Sequence, residues 1–318
     1  MNTILVTLPV NGTQKAVLEN AGENCRFLYE TDSSKTEELI PEADIIIGNV
    51  PAGDIHASPK LKLLQLQSAG TDGYTAPGVL SENTILTNAT GAYDKTVAEH
   101  GLALTLMLQK NFYLYRDLQN QHIWKDMGMA ASIADSTVVI VGYGSIGSLY
   151  AKMVKALGAT VIGVKRRKSE KPEILDELVT MDELDNILPR ADVVFSVLPN
   201  TPATRHLYTA ERFAKMKPTA VFINCGRGNA VSAEVLYDVL QKKTIRAAAC
   251  DVFEQEPLPS DSPLWSLENL VITPHTAGGF HLPDTKDKII AIAAQNIRAV
   301  LGKDEYRNII DFSTGYKK

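Results

Sequence analysis

Short apolar runs alternate with polar, helix-compatible segments along the first 90 residues. The runs lie at 4–7, 26–29, 44–48, 61–66 and 84–86, and helix-compatible segments such as 14–20 separate them. Strands that alternate with helices usually pair side by side in a parallel sheet. The pattern therefore predicts an α/β domain at the start of the chain.

A longer helix and a second alternating region follow. Residues 96–109 place their apolar positions largely on one side at helical spacing, which predicts a buried helix. The later strands are predicted at 138–141, 161–164, 192–198, 220–224, 247–249 and 270–273, and the helices between them at 146–157, 181–188, 211–215 and 232–241. The longer strand runs are almost entirely apolar, as in strands buried on both faces, so they predict a doubly wound parallel sheet. An amphipathic helix is predicted at 282–301, with no strand near it in the chain.

Composition narrows the class of protein. The 318 residues suffice for two domains at about 150 residues each. With 32 basic and 37 acidic residues the net charge is −5, so we expect no nucleic-acid partner. No apolar run approaches the roughly 20 residues that cross a bilayer, so we expect no membrane partner. Three widely spaced cysteines fit neither a disulfide framework nor a metal site, and they favour a reducing cytoplasm.

A glycine-rich segment follows the apolar strand that ends at Val141. The segment Gly142-Tyr143-Gly144-Ser145-Ile146-Gly147 opens a predicted helix, and another strand follows that helix. In such a unit the first glycine allows a tight turn, the second lets a pyrophosphate approach the backbone, and the third lets helix and strand pack closely. We therefore predict that Gly142, Gly144, Ser145, Ile146 and Gly147 bind a dinucleotide. A glycine-rich turn without a ligand is the alternative.

Three later motifs resemble those of the D-isomer-specific 2-hydroxyacid dehydrogenase family. Ile223-Asn224-Cys225-Gly226-Arg227-Gly228 is similar to its arginine motif, Asp251-Val252-Phe253-Glu254-Gln255-Glu256-Pro257 to its acidic loop, and Thr273-Pro274-His275-Thr276-Ala277-Gly278 to its histidine motif. Shorter matches are Leu198-Pro199-Asn200-Thr201-Pro202 and Ser68-Ala69-Gly70-Thr71-Asp72. The resemblance covers most of the chain and includes glyoxylate/hydroxypyruvate reductases and phosphoglycerate dehydrogenases. It implies an NAD(P)-dependent oxidoreductase for a small 2-keto or D-2-hydroxy acid.

The chemistry of 2-keto acid reduction explains these residue types. Besides a hydride, the reaction needs a proton for the carbonyl oxygen and a cation for the carboxylate. An imidazole, whose unperturbed pKa is about 6.5, exchanges protons near neutral pH, so His275 is the candidate acid. A guanidinium binds a carboxylate through two bonds, so Arg227 is the candidate anchor. Glu256 would accept a hydrogen bond from His275 and favour its charged form.

Each of these residues has a structural explanation on its own. All three, however, follow predicted parallel strands, and the carboxyl ends of such strands are where doubly wound folds bind ligands. The remaining histidines lack that context and are expected to be structural; they are His56, His100, His122, His206 and His281. No pair of histidines has metal-ligand spacing, so we expect no metal.

The resemblance also implies an architecture and further contacts. It implies that Pro199, Cys225, Asp251 and Gly278 contact the cofactor, and that Ala69, Gly70 and Thr71 join Arg227 in binding the substrate. It implies a Rossmann cofactor domain at 99–281, inserted into a smaller flavodoxin-like α/β substrate domain formed by 1–98 and the returning segment 282–318. It further implies a homodimer that pairs through the cofactor domain.

The end of the second strand of the cofactor domain bears on the choice of nicotinamide. Counted from Gly147, the position of the family's ribose-binding acid is Lys165, and Arg166 and Arg167 follow it. An acid there would repel the 2'-phosphate of NADP, whereas arginines could bind it through charge-assisted bonds. The basic run favours NADP over NAD. A solvated basic turn is the alternative, with NAD still possible.

Two other functions share this architecture. Formate dehydrogenase resembles a variant with glutamine in place of the acidic partner, and Glu256 argues against it. A dinucleotide-sensing regulator similar to the C-terminal-binding corepressors would carry the same three residues. The sequence alone does not separate that regulator from an enzyme.

Overall fold

The computed structural model describes residues 1–55, 58–313, 315 and 317, so His56 lies outside the described residues. The chain forms two compact units. The terminal unit combines Met1–Tyr93 with Phe280–Lys318, and the central unit is Asp94–Gly279. The expected domain limits at 98/99 and 281/282 fall within a few residues of these divisions and stay a prediction.

In the described part of the terminal unit, the sheet has five parallel strands. They are β1 (Thr3–Val6), β2 (Arg26–Tyr29), β3 (Ile45–Ile47), β4 (Leu63–Gln65) and β5 (Ile85–Thr87). Their order is β2-β1-β3-β4-β5, and every neighbouring pair is parallel. This is the 2-1-3-4-5 order of flavodoxin-like folds, so the predicted fold class of this unit is confirmed.

Helices from both ends of the chain pack together in the terminal unit. Its first two helices are α1 (Gly12–Ala21) and α2 (Ser33–Leu39), and the C-terminal helix spans Pro283–Val300. The C-terminal helix packs on α1, where Gln14 donates a 2.7 Å hydrogen bond to Asp287. Near its other end, the buried amide of Asn296 donates to Gln65 at the end of β4. These contacts tie the predicted amphipathic helix to the first part of the chain.

The central unit contains a sheet of seven parallel strands. They are β6 (Thr137–Val141), β7 (Thr160–Lys165), β8 (Glu177–Thr180), β9 (Val193–Ser196), β10 (Val221–Asn224), β11 (Ala247–Cys250) and β12 (Leu270–Ile272). Their order is β12-β11-β10-β9-β6-β7-β8. From β6 the chain builds outward through β8 and then returns to the other side with β9. This is the Rossmann order with one additional edge strand, as the sequence predicts.

The helices of the central unit agree with the prediction at four places and differ at two. They are α3 (Asp94–Gln109), α4 (Phe112–Asn120), α5 (Ser145–Ala156), α6 (Leu184–Ile187), α7 (Ala210–Lys215) and α8 (Ala233–Gln241). The predicted helix 181–188 is wrong in its length, because 3₁₀ turns replace α-helix on both sides of α6. Helix α4 was not predicted; Asn111, with φ of 58°, separates it from α3.

Within the described residues, no helix is long and apolar enough to cross a membrane.

Candidate active site

Three of the predicted motifs lie at one edge of the central sheet. The arginine motif follows β10, the acidic loop follows β11 and the histidine motif follows β12. These strands are adjacent and parallel, so their carboxyl ends share an edge. The glycine loop follows β6, which is separated from β10 by β9 alone. The topology therefore gathers segments that are far apart in the sequence.

His275 and Glu256 form a direct pair at this edge. Nδ1 of His275 lies 2.6 Å from Oε2 of Glu256, and the other carboxylate oxygen accepts the N–H of Phe253 at 2.9 Å. Since a carboxylate only accepts, the proton of this bond belongs to Nδ1. Nε2 is then the ring nitrogen that is oriented for proton exchange with another group.

Asp251 holds the loop that carries His275. The carboxylate is 2% exposed, and it accepts hydrogen bonds from the Thr273 hydroxyl at 2.6 Å and from the N–H groups of Thr276 at 2.9 Å and Ala277 at 3.0 Å. His100 Nε2 lies 3.1 Å from Thr273 Oγ1. A contact of Asp251 with the cofactor stays a prediction, whereas its contacts with the histidine loop are direct.

Two glycines allow the segment around Arg227 to pack tightly. A Cβ on Gly226 would lie 2.5 Å from the backbone nitrogen of Leu198, and one on Gly228 would lie 1.9 Å from the carbonyl carbon of Phe253. Real Cβ atoms do not approach backbone this closely. The arginine segment is therefore in contact with both the loop after β9 and the acidic loop.

Local hydrogen bonds fix the backbone on either side of Arg227. Asn224, the last residue of β10, accepts the N–H of Gly226 at 3.1 Å and donates to the carbonyl of Arg227 at 3.1 Å. Nη1 of the half-buried Arg227 side chain donates to the carbonyl of Gly226 at 2.9 Å. The backbone position of Arg227 thus follows directly from the end of the strand.

The glycine loop has the shape that a dinucleotide requires. Gly142 has φ of 103°, and a Cβ there would lie 2.6 Å from the carbonyl oxygen of Val197. A Cβ on Gly147 would lie 2.7 Å from the carbonyl oxygen of Gly142, whereas one on Gly144 would meet nothing within 4 Å. Two glycines are thus required by packing, and the open side at Gly144 lets a ligand approach the amino end of α5. The residues present fit a pyrophosphate.

The basic run begins directly beside the glycine loop. The carbonyl of Val164 accepts the N–H groups of Gly142 at 3.1 Å and Tyr143 at 2.9 Å, and Lys165 comes next as the last residue of β7. Nζ of Lys165 lies 3.2 Å from Oγ of Ser169, so the strand end turns into an ordered loop. The side chains of Arg166 and Arg167 are exposed on this turn.

The other predicted cofactor residues lie on the same sheet edge. The carbonyl of Pro199, in the loop after β9, accepts the Thr204 hydroxyl at 2.7 Å. Cys225 follows β10 and is buried, and burial raises the pKa of its thiol well above the ordinary value. Gly278 ends the histidine motif after β12. Their contacts with a cofactor stay predictions.

The predicted substrate loop of the terminal unit follows β4. Its carbonyls are held by side chains: Ala69 accepts from Asn88 at 2.6 Å and Gly70 accepts from Ser68 at 2.7 Å. The hydroxyl of Thr71 donates to the carbonyl of Gly315 at 3.2 Å. These bonds fix the loop backbone, and a role of its amides in substrate binding stays a prediction.

Contacts between distant residues are what sequence reasoning missed at this site. The expectation that His100 and His206 are structural stays a prediction, but their partners were not foreseen: His100 contacts Thr273, and His206 contacts Glu254 of the acidic loop. The partners are 173 and 48 positions apart, so no local pattern indicates them.

Among the described side chains, no group of three or more His, Cys, Asp or Glu could hold a metal ion.

A doubly wound sheet with such a glycine loop, and with a histidine–glutamate pair at the same edge, is the architecture of a dinucleotide-dependent oxidoreductase. The family model described as D-isomer specific 2-hydroxyacid dehydrogenase, NAD binding domain, matches residues 102–277. The chain therefore belongs to the D-isomer specific 2-hydroxyacid dehydrogenase family. It is an NAD(P)-dependent dehydrogenase, and the regulatory alternative is not favoured.

Individual relatives cover nearly all of the chain. It is 34% identical to the glyoxylate/hydroxypyruvate reductase B of Shigella boydii over 276 residues, which are 84% of each protein. It is 31% identical to the D-3-phosphoglycerate dehydrogenase of Methanocaldococcus jannaschii over 322 residues, with 98% of this chain and 60% of that protein covered. This chain thus matches little more than half of the second relative.

A solved structure supports the same family assignment. The NADPH-dependent glyoxylate/hydroxypyruvate reductase of Sinorhizobium meliloti, crystallised with NADP and sulfate, is similar with a TM-score of 0.85 and 26% identity. The similarity covers 99% of this chain and 100% of that chain.

Proposed function

We propose that this enzyme reversibly reduces a small 2-keto acid to the D-2-hydroxy acid, with NADPH as its preferred reductant. The observation that carries the proposal is the 2.6 Å contact between His275 Nδ1 and Glu256 Oε2, at the sheet edge where the Arg227 segment also lies. A partly exposed imidazole that is oriented by a carboxylate is suited to general acid–base catalysis.

Three side chains carry the proposed chemistry. Arg227 binds the substrate carboxylate through two N–H donors. His275 donates a proton from Nε2 to the carbonyl oxygen during reduction and takes it back during oxidation. Glu256 orients the ring and stabilises its charged form. The amides of Ala69, Gly70 and Thr71 are proposed as further donors to the carboxylate.

The residues proposed to hold the cofactor lie around the glycine loop. Gly142, Gly144, Ser145, Ile146 and Gly147 would bind the pyrophosphate at the amino end of α5, and the reduced nicotinamide supplies the hydride when bound. The nicotinamide half is proposed to contact a further group of residues at the same edge, namely Pro199, Cys225, Asp251 and Gly278.

The basic run supports the preference for NADPH. Lys165 ends β7, and the exposed Arg166 and Arg167 follow directly beside the glycine loop. Guanidinium groups there would bind a 2'-phosphate, whereas NAD would gain nothing from them. The Sinorhizobium meliloti relative is described as NADPH-dependent. The alternative, a solvated basic turn in an enzyme that uses NAD, makes the opposite prediction for cofactor selectivity.

Glyoxylate and hydroxypyruvate are the proposed substrates to test first. The names of the Shigella boydii and Sinorhizobium meliloti proteins give both compounds, and the chain covers most or all of these relatives. Only 60% of the Methanocaldococcus jannaschii phosphoglycerate dehydrogenase is matched. That relative is therefore weaker support for phosphoglycerate as a substrate of this enzyme. Larger 2-keto acids stay in the panel because the side-chain pocket is not assigned.

We further propose that the enzyme is a homodimer paired through helix α4 of the central unit. No residue of α4 is buried, and large apolar side chains are exposed on it and in the segment that follows, namely Phe112, Ile123, Trp124 and Met129. Several exposed large apolar side chains in one segment are typical of a protein–protein contact. Light scattering would distinguish a 34.7 kDa monomer from a dimer, and Trp124→Ser should weaken the dimer.

The cysteines support a proposal that the protein works in the reducing cytoplasm. All three are free thiols, and burial raises the pKa of Cys250 to about 12. Thiols that stay protonated and unpaired suit a reducing compartment.

The proposed function is tested with a panel of 2-keto acids assayed with NADPH and with NADH. We expect turnover of at least one small 2-keto acid, with a higher kcat/KM for NADPH, and no turnover by His275→Ala above about one hundredth of the wild-type rate. Absence of turnover across the panel would contradict the proposal.

A further inference from the structure

The acidic loop takes part in a second histidine–glutamate pair, in which Glu254, two residues before Glu256, contacts His206. Oε1 of Glu254 is 2.5 Å from Nε2 of His206, whereas Oε2 of Glu256 is 2.6 Å from Nδ1 of His275. The chemistry proposed above uses neither His206 nor Glu254. This charge-assisted contact is next to the proposed catalytic pair, so we ask what it contributes to the reaction.

The backbone around His206 is hydrogen-bonded to the segment that follows Arg227. The N–H of His206 donates to the carbonyl of Asn229 at 2.7 Å, and the N–H of Tyr208 donates to the carbonyl of Ala230 at 3.0 Å. His206 has φ of 49°, a left-handed conformation that is uncommon for a residue other than glycine. The backbone of His206 is therefore held next to the segment that follows Arg227.

Glu254 is held at both carboxylate oxygens. Oε1 faces His206, and Oε2 accepts the N–H of Ala233 at 3.2 Å. Ala233 is the first residue of α8, and the amino end of a helix favours a negative charge. The acidic loop is thus fixed from one side by the loop after β9 and from another side by α8.

We propose that His206 is a positioning residue for the reductase reaction. Its bond to Glu254 holds the acidic loop against the arginine segment, so that Glu256 stays oriented toward His275. Gly228 packs directly on the backbone of Phe253, so the arginine segment and the acidic loop are in contact one residue before Glu254. This inference rests on the proposed function, because it assigns a residue to that same site.

Several charged groups surround this pair on the elements that carry it. Arg205 precedes His206 in the chain, and Glu234 lies in the first turn of α8. Arg212 donates to Asp185 at 2.8 Å and to the carbonyl of Leu207 at 2.7 Å. Variants at His206 and Glu254 therefore need a control that changes charge nearby without touching the acidic loop.

The test compares His206→Ala, Glu254→Ala and the double variant in 2-keto acid reduction. Since misplacement of a catalytic group costs rate, we expect each single variant to lower kcat about tenfold and to leave the KM for NADPH within about twofold of wild type. The double variant should be no slower than Glu254→Ala, because that change already removes the contact with His206. His206→Gln, whose amide can still donate to Glu254, should recover most of the rate.

A matched control breaks another ion pair of the same unit. Asp238→Asn removes the negative charge that lies 2.7 Å from Nζ of Lys242, in an ion pair at the end of α8 that does not involve the acidic loop. We expect its kcat to equal that of wild type. An equal loss of kcat in the control and in His206→Ala would mean that kcat falls with any loss of an ion pair in this unit. That result would overturn the proposal.

Imidazole ¹H–¹⁵N spectra give a readout that does not depend on turnover. The His275 signal is identified by its loss in His275→Ala. In His206→Ala we expect this signal to move toward its position in Glu256→Gln. A His275 signal that stays at the wild-type position in folded His206→Ala would overturn the proposal. If that variant does not fold, the same comparison with Glu254→Gln decides.

Different results would contradict the proposed function and the positioning role of His206. A wild-type enzyme that reduces no 2-keto acid contradicts the proposed function, whereas the spectra still report whether His206 positions the pair. An active wild type with an unchanged rate in both single variants contradicts the positioning role alone.

Discussion

Glu256 connects His275 to the backbone of its own loop: one oxygen lies 2.6 Å from His275 Nδ1, and the other accepts the N–H of Phe253 at 2.9 Å. The carboxylate cannot rotate away from the imidazole without losing the second bond. This geometry keeps the ring oriented and leaves Nε2 as the nitrogen that the proposed function uses for proton exchange.

Replacing His275 by alanine should abolish most activity. Loss of a general acid costs about 100 to 10,000-fold, and we expect kcat/KM for the 2-keto acid to fall in that range. The Kd for NADPH, measured by fluorescence titration, should stay near the wild-type value. His281→Ala is the control, because that exposed histidine lies outside the motif and should be silent. Comparable loss in both variants would argue against a special role for His275.

Arg227→Lys should reveal whether the guanidinium binds a carboxylate through two bonds. Lysine keeps the charge but loses the bidentate geometry, so we expect the KM for the 2-keto acid to rise at least about tenfold and Arg227→Ala to be worse. Arg205→Lys, a change of an exposed arginine of the same unit, is the control. If Arg227→Lys has the wild-type KM, another group anchors the carboxylate.

Glu256→Gln should change the pH dependence of activity. In the proposed reaction His275 donates a proton, and a carboxylate at 2.6 Å stabilises the protonated ring. Without that charge the protonated ring loses its charge-assisted partner, so the alkaline limb of the kcat profile should move to lower pH. Glu268→Gln, a change of an exposed glutamate, should leave the profile in place. An unchanged profile in Glu256→Gln would remove Glu256 from the mechanism.

Arg166→Ala and Arg167→Ala should affect NADPH more than NADH. Each charge-assisted contact is worth about 1.5 to 3 kcal/mol, so the KM for NADPH should rise on the order of ten- to a hundredfold, with little change for NADH. Lys242→Ala removes an exposed charge elsewhere in the unit and serves as the control. A wild-type kcat/KM that is higher with NADH than with NADPH would show that the basic run is only a solvated turn.

Gly228→Ala should destabilise the fold around the site. The new Cβ would lie 1.9 Å from the carbonyl carbon of Phe253, so backbone must move, at a cost of about 2–4 kcal/mol in the free energy of unfolding. Gly12→Ala, where a Cβ meets nothing within 4 Å, should change stability by less than about 1 kcal/mol. Equal midpoints of denaturant unfolding in the two variants would contradict this packing.

The buried strands were predictable because their positions are almost all apolar. Residues 220–224 contain one long apolar run, and β10 lies there with every residue buried. The glycine loop was predictable because its three glycines follow such a strand. Helix α4 was not, because it buries none of its residues in the single chain. Strand β8 was missed because it is a sheet edge in which only Val179 is buried.

The site was predictable as a set of motifs but not as a set of contacts. Arg227, Glu256 and His275 follow three strands that the sequence could place, and the topology makes those strands neighbours. The bonds from Asp251 to the histidine loop depend on the pairing of β11 with β12, which no local pattern specifies. The contact between His206 and Glu254 depends in the same way on tertiary structure.

The stereochemistry of the reduced product tests the central claim most directly. Purified wild-type enzyme is incubated with hydroxypyruvate and NADPH, and the glycerate formed is resolved by chiral chromatography, with His275→Ala as the blank. We expect D-glycerate in an amount that matches the NADPH consumed. L-glycerate, or oxidation of NADPH without glycerate, would contradict the assignment of this chain as a D-specific 2-keto acid reductase.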